Sequence, residues 1–394
     1  MTRPGYKMTE IGEIPEDWDA KKIKEIAKVK YGKSNPKTEG EVPLVGSSGV
    51  FGSVGKPLIH SPTIIIGRKG TAGAVWDIRT PSWPSDTSFY LEYKTEVSQK
   101  FLFEWMSLNK LKGENAKTTL PSVKREEIEE LLFPLPPLQE QQKIAEILSS
   151  ADESIQKVTE EITLTERLKK GLMQTLLTKG IGHTKFKMTE IGEIPAEWNI
   201  KKLGDVSEVI VPMRDKPKKF DGTIPWLRIE DLDGKYAIRS KSEQKVSETT
   251  IVQMKLKPYP IGTVLCSCSG KMGICAITRE VLITNQTFAG IVTRAGLFNE
   301  YLYYLLSSFP ERLQSIATGT TLSYLSREKI ENLLISVPPI EEQQKIAEIL
   351  STVDDKLELL KNKREHLKKL KRGLMSGLLT GKVRVNAQTS KGDN

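Results

Sequence analysis

The chain is poor in the residues that metal sites and disulfide frameworks need: three cysteines and three histidines in 394 residues. Cys266, Cys268 and Cys275 fall in one apolar stretch. Three thiols leave a tetrahedral zinc site one ligand short, and only His60, His183 and His366 could supply the fourth. Buried strand cysteines in a reducing compartment fit the spacing better, so no metal is expected. Long apolar runs are missing too. Nothing approaches the roughly 18–20 uninterrupted apolar residues of a membrane span, and Met1 to Lys7 leads into no apolar signal core. The expectation is a cytoplasmic protein without a membrane partner.

What is present is ordinary for a folded chain, with 38% hydrophobic and 28% charged residues. The length allows two or three domains, each able to bury a core. Lysine and arginine total 59 against 50 acidic residues, a net charge of +9. That excess favours a polyanionic partner such as nucleic acid.

The chain also repeats itself. Glu140-Gln141-Gln142-Lys143-Ile144-Ala145-Glu146-Ile147-Leu148-Ser149 recurs unchanged as Glu342 to Ser351, an offset of 202. Lys7 to Pro15 recurs unchanged as Lys187 to Pro195, an offset of 180. The two copies share a head block and a helical block, and their centres barely match. From Trp18 to Leu120 copy one advances 102 positions, whereas copy two advances 124 from Trp198 to Leu322. The surplus of 22 therefore lies in the centre of copy two.

Within each centre, short β-branched and aromatic runs between turn residues predict strands: 62–67 and 88–91 in copy one, 261–266 and 287–292 in copy two. Helical pieces at 97–108 and 298–308 make each centre a mixed α and β domain. Pro136-Pro137 and Pro338-Pro339 then suit helix starts. Apolar positions follow at Ile144, Leu148, Ala151, Ile155, Val158 and Ile162, a strict alternation of four and three. Their mates are Ile346, Leu350, Val353, Leu357, Leu360 and, as an exception, Arg364. Leu168, Leu172 and Leu176, with Leu370, Leu374 and Leu378, are expected to continue the stripe after a slip of one position. Such a heptad reads as a coiled coil of about 40 residues, roughly 60 Å long. The alternative is that each helix packs on its own domain. Gly180, Gly182 and Gly381 are expected to end the helices.

Three blocks, each with a mate in copy two (Ile340 for Leu138 and Arg372 for Lys170), carry a family resemblance. They are Ile11-Gly12-x-Ile14-Pro15-x-x-Trp18; Pro136-Pro137-Leu138-x-Glu140-Gln141-x-x-Ile144-Ala145-x-Ile147-Leu148; and Leu168-Lys169-Lys170-Gly171-Leu172-Met173. From about residue 7 to 383 the chain resembles a DNA specificity subunit of a type I restriction-modification system. The resemblance implies an α+β fold: two mixed α/β target recognition domains separated by two long helices that form an antiparallel coiled coil, a pseudo-two-fold tandem repeat. The corresponding boundaries are 1–135 and 181–337 for the recognition domains, 136–180 and 338–382 for the helical regions, and 383–394 for a flexible tail. It also implies a non-catalytic subunit that binds double-stranded DNA at a two-part asymmetric site, with two methyltransferase subunits and restriction subunits as partners. No Asn/Asp-Pro-Pro-Tyr/Phe motif and no Gly-x-x-x-x-Gly-Lys-Ser/Thr loop occurs, so neither catalysis nor a cofactor is expected. A coiled-coil adaptor whose heads bind proteins is the competing class; a self-contained nuclease or methyltransferase would need motifs that are missing.

Candidate DNA contacts follow from side-chain chemistry. Gly67-Arg68-Lys69-Gly70-Thr71-Ala72-Gly73 follows a strand, and Ser267-Cys268-Ser269-Gly270-Lys271-Met272-Gly273 matches it with the Gly-x-x-Gly frame kept. Arg68, Lys69, Thr71, Ser269 and Lys271 could approach a groove or phosphates there, or simply decorate a hairpin turn. Asp86-Thr87-Ser88-Phe89 aligns with Asn285-Gln286-Thr287-Phe288; Asn285 and Gln286 carry the donor and acceptor that adenine requires, or cap a strand. Thr118 and Thr119, with Thr320 and Thr321, suit phosphate contact or a hydroxyl cap. Lys218 and Lys219 lie in a basic run that would track phosphates or form a solvated face.

Overall fold

A computed structural model describes residues 2–36, 38–109, 111, 121–212, 216–232, 234–317 and 324–385. The chain forms two compact units, Met1–Glu160 with Lys361–Asn394, and Glu161–Leu360. Each unit therefore takes one centre and one half of each long helix.

The first unit opens on an antiparallel hairpin, Tyr6–Thr9 with Gly12–Pro15, in which Gly12 makes the turn at φ +96°. Asp19–Lys22 then pairs with Leu132–Leu135, so the chain enters and leaves the head through adjacent strands. Between them lies an antiparallel sheet in the order Ala27–Tyr31, Ser88–Tyr93, Thr63–Gly67, Val75–Ile78. Its central strand is buried throughout, as the run Thr-Ile-Ile-Ile-Gly requires. The helix Gln99–Leu108, N-capped by the Ser98 hydroxyl, adds Phe101, Leu102 and Trp105 to the core. A smaller sheet joins Gly49–Val54, Val42–Gly46 and Trp83–Pro84.

The second unit repeats this plan. Its hairpin is Phe186–Thr189 with Gly192–Pro195, and Asn199–Lys202 pairs with Leu334–Val337. The main sheet runs Ser207–Ile210, Phe288–Thr293, Val264–Ser267, Cys275–Thr278, followed by Tyr236–Ala237. The helix Asn299–Ser308 supplies Tyr301, Leu302, Tyr304 and Leu305 to the core. Corresponding residues stand 180 apart at the first sheet strand (Ala27 and Ser207) and 200 apart at the central one (Thr63 and Thr263). The surplus therefore enters mostly between those strands, where copy two adds the strand Tyr236–Ala237 and the helix Glu248–Met254. All three cysteines are buried and free; Cys266 and Cys275 are cross-strand partners, and burial pushes the Cys268 thiol up to about 12.

The two long helices are Leu138–Lys179 and Ile340–Leu378. Gly180, Gly182 and Gly381 follow their ends at positive φ. In the first unit Ile144 and Leu148 share one core with Met375, Leu378, Leu379 and the head. In the second, Leu176 and Leu177 share one with Ile346, Ala347, Leu350 and the other head. Each unit's core thus takes residues from both long helices as well as from its head.

The stripe itself needs a correction. Ile144, Leu148, Val158, Ile346, Leu350, Leu357 and Leu360 are buried, and Ile155 is half-buried. Beyond Ile162 no slip occurs. The alternation continues through Thr165, Lys169, Leu172 and Leu176, and Leu168 stays 55% exposed. The second helix behaves alike: Arg364, Leu367, Lys371, Leu374 and Leu378 hold the phase, and Leu370 is 52% exposed. Helix geometry outweighs side-chain type here, because a slipped stripe would turn away from the partner surface. Two polar members of the first helix are satisfied: Thr165 Oγ1 donates to Glu161 O at 2.7 Å, and Lys169 Nζ lies 2.6 Å from Asp354 Oδ1. Arg364 Nε, on the second, is buried without a hydrogen-bond partner among the described residues and lies 3.4 Å from Glu365 Oε1.

The repeated decapeptide begins with a residue that ties each unit together. In the first, buried Glu140 accepts the Trp18 indole N–H at 2.9 Å and the Arg384 Nε and Nη2 donors at 2.9 Å each. Arg384 also forks onto Asp17 at 2.9 and 2.7 Å, and Tyr6 Oη donates to Gly381 O at 2.8 Å. Residues 383–385, placed at the start of a flexible tail by the sequence, include this anchor. In the second unit Glu342 accepts Trp198 Nε1 and the Ile181 N–H and meets His183 Nε2, all at 2.9 Å.

Candidate nucleic-acid interface

The glycine-framed loops are built alike in the two units. In the first, Gly67 N–H donates to Ala74 O and Gly73 N–H to Gly67 O, both at 2.8 Å, closing a tight loop between two core strands. Gly70 and Gly73 take φ of +79° and +80°. In the second, Ser267 N–H donates to Ile274 O at 2.8 Å, and Gly270 and Gly273 take +69° and +77°. The shared backbone is carried by the glycines; side chains at the tip are left to vary. Lys69, Thr71 and Lys271 are exposed, and Arg68 and Ser269 are half-buried.

Each loop is pinned to the same two neighbours. Arg68 N–H donates to Thr87 O at 2.9 Å, and Val123 N–H donates to Arg68 O at 3.0 Å. Cys268 N–H donates to Thr287 O and Leu325 N–H to Cys268 O, both at 2.8 Å. Isolated bridges join Lys69 to Ser122 and Ser269 to Tyr324. The pairing sets Thr87 against Thr287, an offset of 200, so the alignment read from sequence is out by one residue. The cause is local turn chemistry. Ser85 Oγ meets Thr87 Oγ1 at 2.7 Å, and Asn285 Oδ1 accepts the Thr287 hydroxyl at 2.6 Å. A serine and an asparagine make equivalent turns with no identity to align.

Asn285 thus spends its carbonyl oxygen on its own turn, whereas Gln286 is exposed beside it. Arg68 has a feature that the sequence did not suggest. Its guanidinium lies 5.1 Å from the ring of Tyr31, a half-exposed aromatic on the edge strand, and its Nη1 donates to Asp86 O at 3.0 Å. Strand pairing between Ala27–Tyr31 and Ser88–Tyr93 creates this neighbourhood. Lys218 and Lys219 are exposed ahead of the strand Ile224–Leu227, and among the described residues they make no hydrogen bond or ion pair. Thr118, Thr119, Thr320 and Thr321 lie outside the described residues. Arg68, Lys69 and Thr71 are brought together with Thr87 and Ser122, and Ser269 and Lys271 with Asn285, Gln286 and Tyr324. A basic, hydroxyl-bearing loop on a rigid frame is suited to phosphate and base-edge contact. Among the described residues, no cluster of His, Cys, Asp and Glu could hold a metal ion, and no helix is long and apolar enough to cross a membrane.

Comparison with known proteins agrees with this architecture. The chain is 28% identical to the type I restriction enzyme MjaVIII specificity subunit of Methanocaldococcus jannaschii, over 94% of each chain. It is 36% identical to the MjaIX specificity subunit of the same organism over 48% of this chain and 45% of that one. Its fold matches the crystal structure of the type I restriction-modification S subunit from M. genitalium with a TM-score of 0.61 at 17% identity, covering 96% of this chain and 99% of that chain. The family model described as type I restriction modification DNA specificity domain matches residues 15–166 and again 195–369. With both copies matched, the chain belongs to the type I restriction-modification DNA specificity family and is a non-catalytic specificity component.

Proposed function

We propose that the chain reads a bipartite, asymmetric site in double-stranded DNA, one half-site per head, and directs methyltransferase and restriction subunits to it. The observation that carries this reading is the pair of loops at 67–73 and 267–273. Their backbone frame and anchoring are the same and their tips differ, as two heads for two sequences on one scaffold require. The heads correspond to 1–135 and 181–337. The scaffold favours two copies of one partner, because exposed residues as well as buried ones repeat unchanged: Gln142, Lys143 and Glu146 recur as Gln344, Lys345 and Glu348. Two methyltransferase subunits meet that requirement.

The helices 136–180 and 338–382 act as an antiparallel coiled coil that sets the gap between half-sites. In the first unit Glu140 meets Arg384 and Asp152 meets Lys371; in the second Glu161 meets Lys356 and Glu342 meets Ile181, so partners run in opposite order. A rod of about 60 Å is long enough to span a turn of duplex DNA, roughly 34 Å. Deleting about one helical turn from 151–170 alone should change the preferred gap or abolish specific binding. Gel shifts with the methyltransferase partner on sites of varied gap measure this. An unchanged gap rejects the ruler, and no preference for any methylation site favours an adaptor instead.

Lys218 and Lys219 are assigned to the phosphate backbone. Changing both to glutamine should weaken binding to all sequences alike and lower the salt slope by about 2. A loss confined to one base position would contradict that assignment.

A further inference from the structure

The divergent heads are gripped by scaffold residues that did not diverge. Buried Gln141 accepts the Ser98 N–H at 2.9 Å, at the N-cap of Gln99–Leu108, and donates to Pro136 O at 2.8 Å. Buried Gln343 accepts the Phe298 N–H at 2.8 Å, at the N-cap of Asn299–Ser308, and donates to Pro338 O at 2.8 Å. Because the glutamine meets only backbone at both ends, it makes no demand on the head's sequence.

A second grip lies farther along. Asp152 and Lys371 pair at 2.6 Å, Lys100 reaches Asp152 at 3.0 Å and Glu104 at 2.7 Å, and Lys371 reaches Glu104 at 3.0 Å. In the second unit Asp354 and Lys169 pair at 2.6 Å, and Tyr304 Oη donates to Asp354 at 2.8 Å. Asp152 and Asp354 stand 202 apart, as do Lys169 and Lys371, and in each unit the aspartate of one long helix meets the lysine of the other. The head residues at the matching positions differ: Lys100 and Glu104 both meet the pair in one unit, whereas in the other Tyr304 meets Asp354 and Glu300 meets Lys235 and Tyr236 instead. The reversal from Lys100 to Glu300 is offset by Lys235, from the segment that copy two adds. Its buried ammonium lies 2.9 Å from Glu300 and 3.1 Å from Ser351 Oγ on the scaffold helix.

The gripped helix leads to the reading loop. Gln99 Nε2 donates to Thr63 O at 3.1 Å and to Ile78 O at 3.2 Å, on the two strands that the loop 67–73 connects. Asn299 Nδ2 donates to Gly262 O at 2.9 Å, just before the matching strand.

We infer that Gln141, Asp152 and Lys371 in one unit, and Gln343, Asp354 and Lys169 in the other, are positioning residues: a duplicated socket that fixes each head helix, and through it the loop that reads DNA. This rests on the function proposed above. The socket asks of a head only a helix with a free N-terminal N–H and a side chain, at Glu104 or Tyr304, that complements an Asp–Lys pair.

The test uses the full chain in complex with its methyltransferase partner. Asp152→Asn should raise methylation of sites mismatched in one half about tenfold, the range set by one base-edge hydrogen-bond pair, and speed amide exchange in Gln99–Leu108. Asp354→Asn should do the same for the other half and for Asn299–Ser308. Reversing all four charges of the first unit (Lys100→Glu, Glu104→Lys, Asp152→Lys, Lys371→Glu) should restore discrimination that Asp152→Lys alone destroys. Equal loss in both halves, or a lower melting temperature with discrimination intact, would overturn the socket. Should the wild-type complex mark no two-part site, the functional proposal fails, and helix protection alone then decides the socket.

Discussion

Replacing Glu140 with alanine should lower the stability of the first unit by about 3 kcal/mol, the low end for removing one partner of a buried ion pair. The carboxylate is 3% exposed and satisfies both an indole N–H and a guanidinium. Alanine leaves Trp18, itself fully buried, without an acceptor. The loss stays at the low end because Arg384 is partly exposed and keeps Asp17. Glu140→Gln should recover part of it by accepting from Trp18. Urea unfolding followed by tryptophan fluorescence measures the difference; a change below about 1 kcal/mol would mean that the junction behaves as a surface pair. The hydrogen bond from Arg384 also holds the Asp17 carboxyl below its usual range. A lowered carboxylate stabilises above its unfolded value near 4 and loses that contribution as pH falls through the folded value. The junction should therefore weaken in acid.

Gly73→Ala should have the largest effect on recognition. At φ +80° an L side chain costs about 1–2 kcal/mol, and a Cβ there would sit 2.2 Å from the Leu111 carbonyl oxygen. Backbone must move, and the loop holding Arg68, Lys69 and Thr71 moves with it. Every side chain that the shift pulls off its base edge should weaken specific binding by about 1–3 kcal/mol, and non-specific binding through phosphates should be retained. Gly273→Ala is the matched change, with φ +77° and Pro310 Cβ at 2.9 Å. Its effect should fall on the other half-site.

Much of the fold is legible in the sequence because the duplication supplies an internal comparison. Proline pairs, glycine stops and apolar runs mark helices and strands at nearly the positions found. What was hidden needed partners distant along the chain. Leu168 and Leu370 are apolar but out of phase, whereas Thr165 and Lys169 keep the phase because Glu161 and Asp354 satisfy them. The turn at Ser85 and Asn285 is the same structure written in different residues. Tyr31 becomes a neighbour of Arg68 only once the edge strand pairs, and Arg384 looked like tail because its partner lies 244 residues away. The candidate loops were legible through their glycines; their anchoring by Thr87, Val123, Thr287 and Leu325 was not.

The central claim is that each head reads its own half of one site, and genome-wide methylation mapping tests it most directly. Cells carrying the wild-type chain, no chain, Gly73→Ala or Gly273→Ala would be compared with the methyltransferase partner constant. A two-part motif should be marked only when the chain is present, with Gly73→Ala relaxing one half and Gly273→Ala the other. A motif that persists without the chain, or two variants that degrade the same half, would contradict the account.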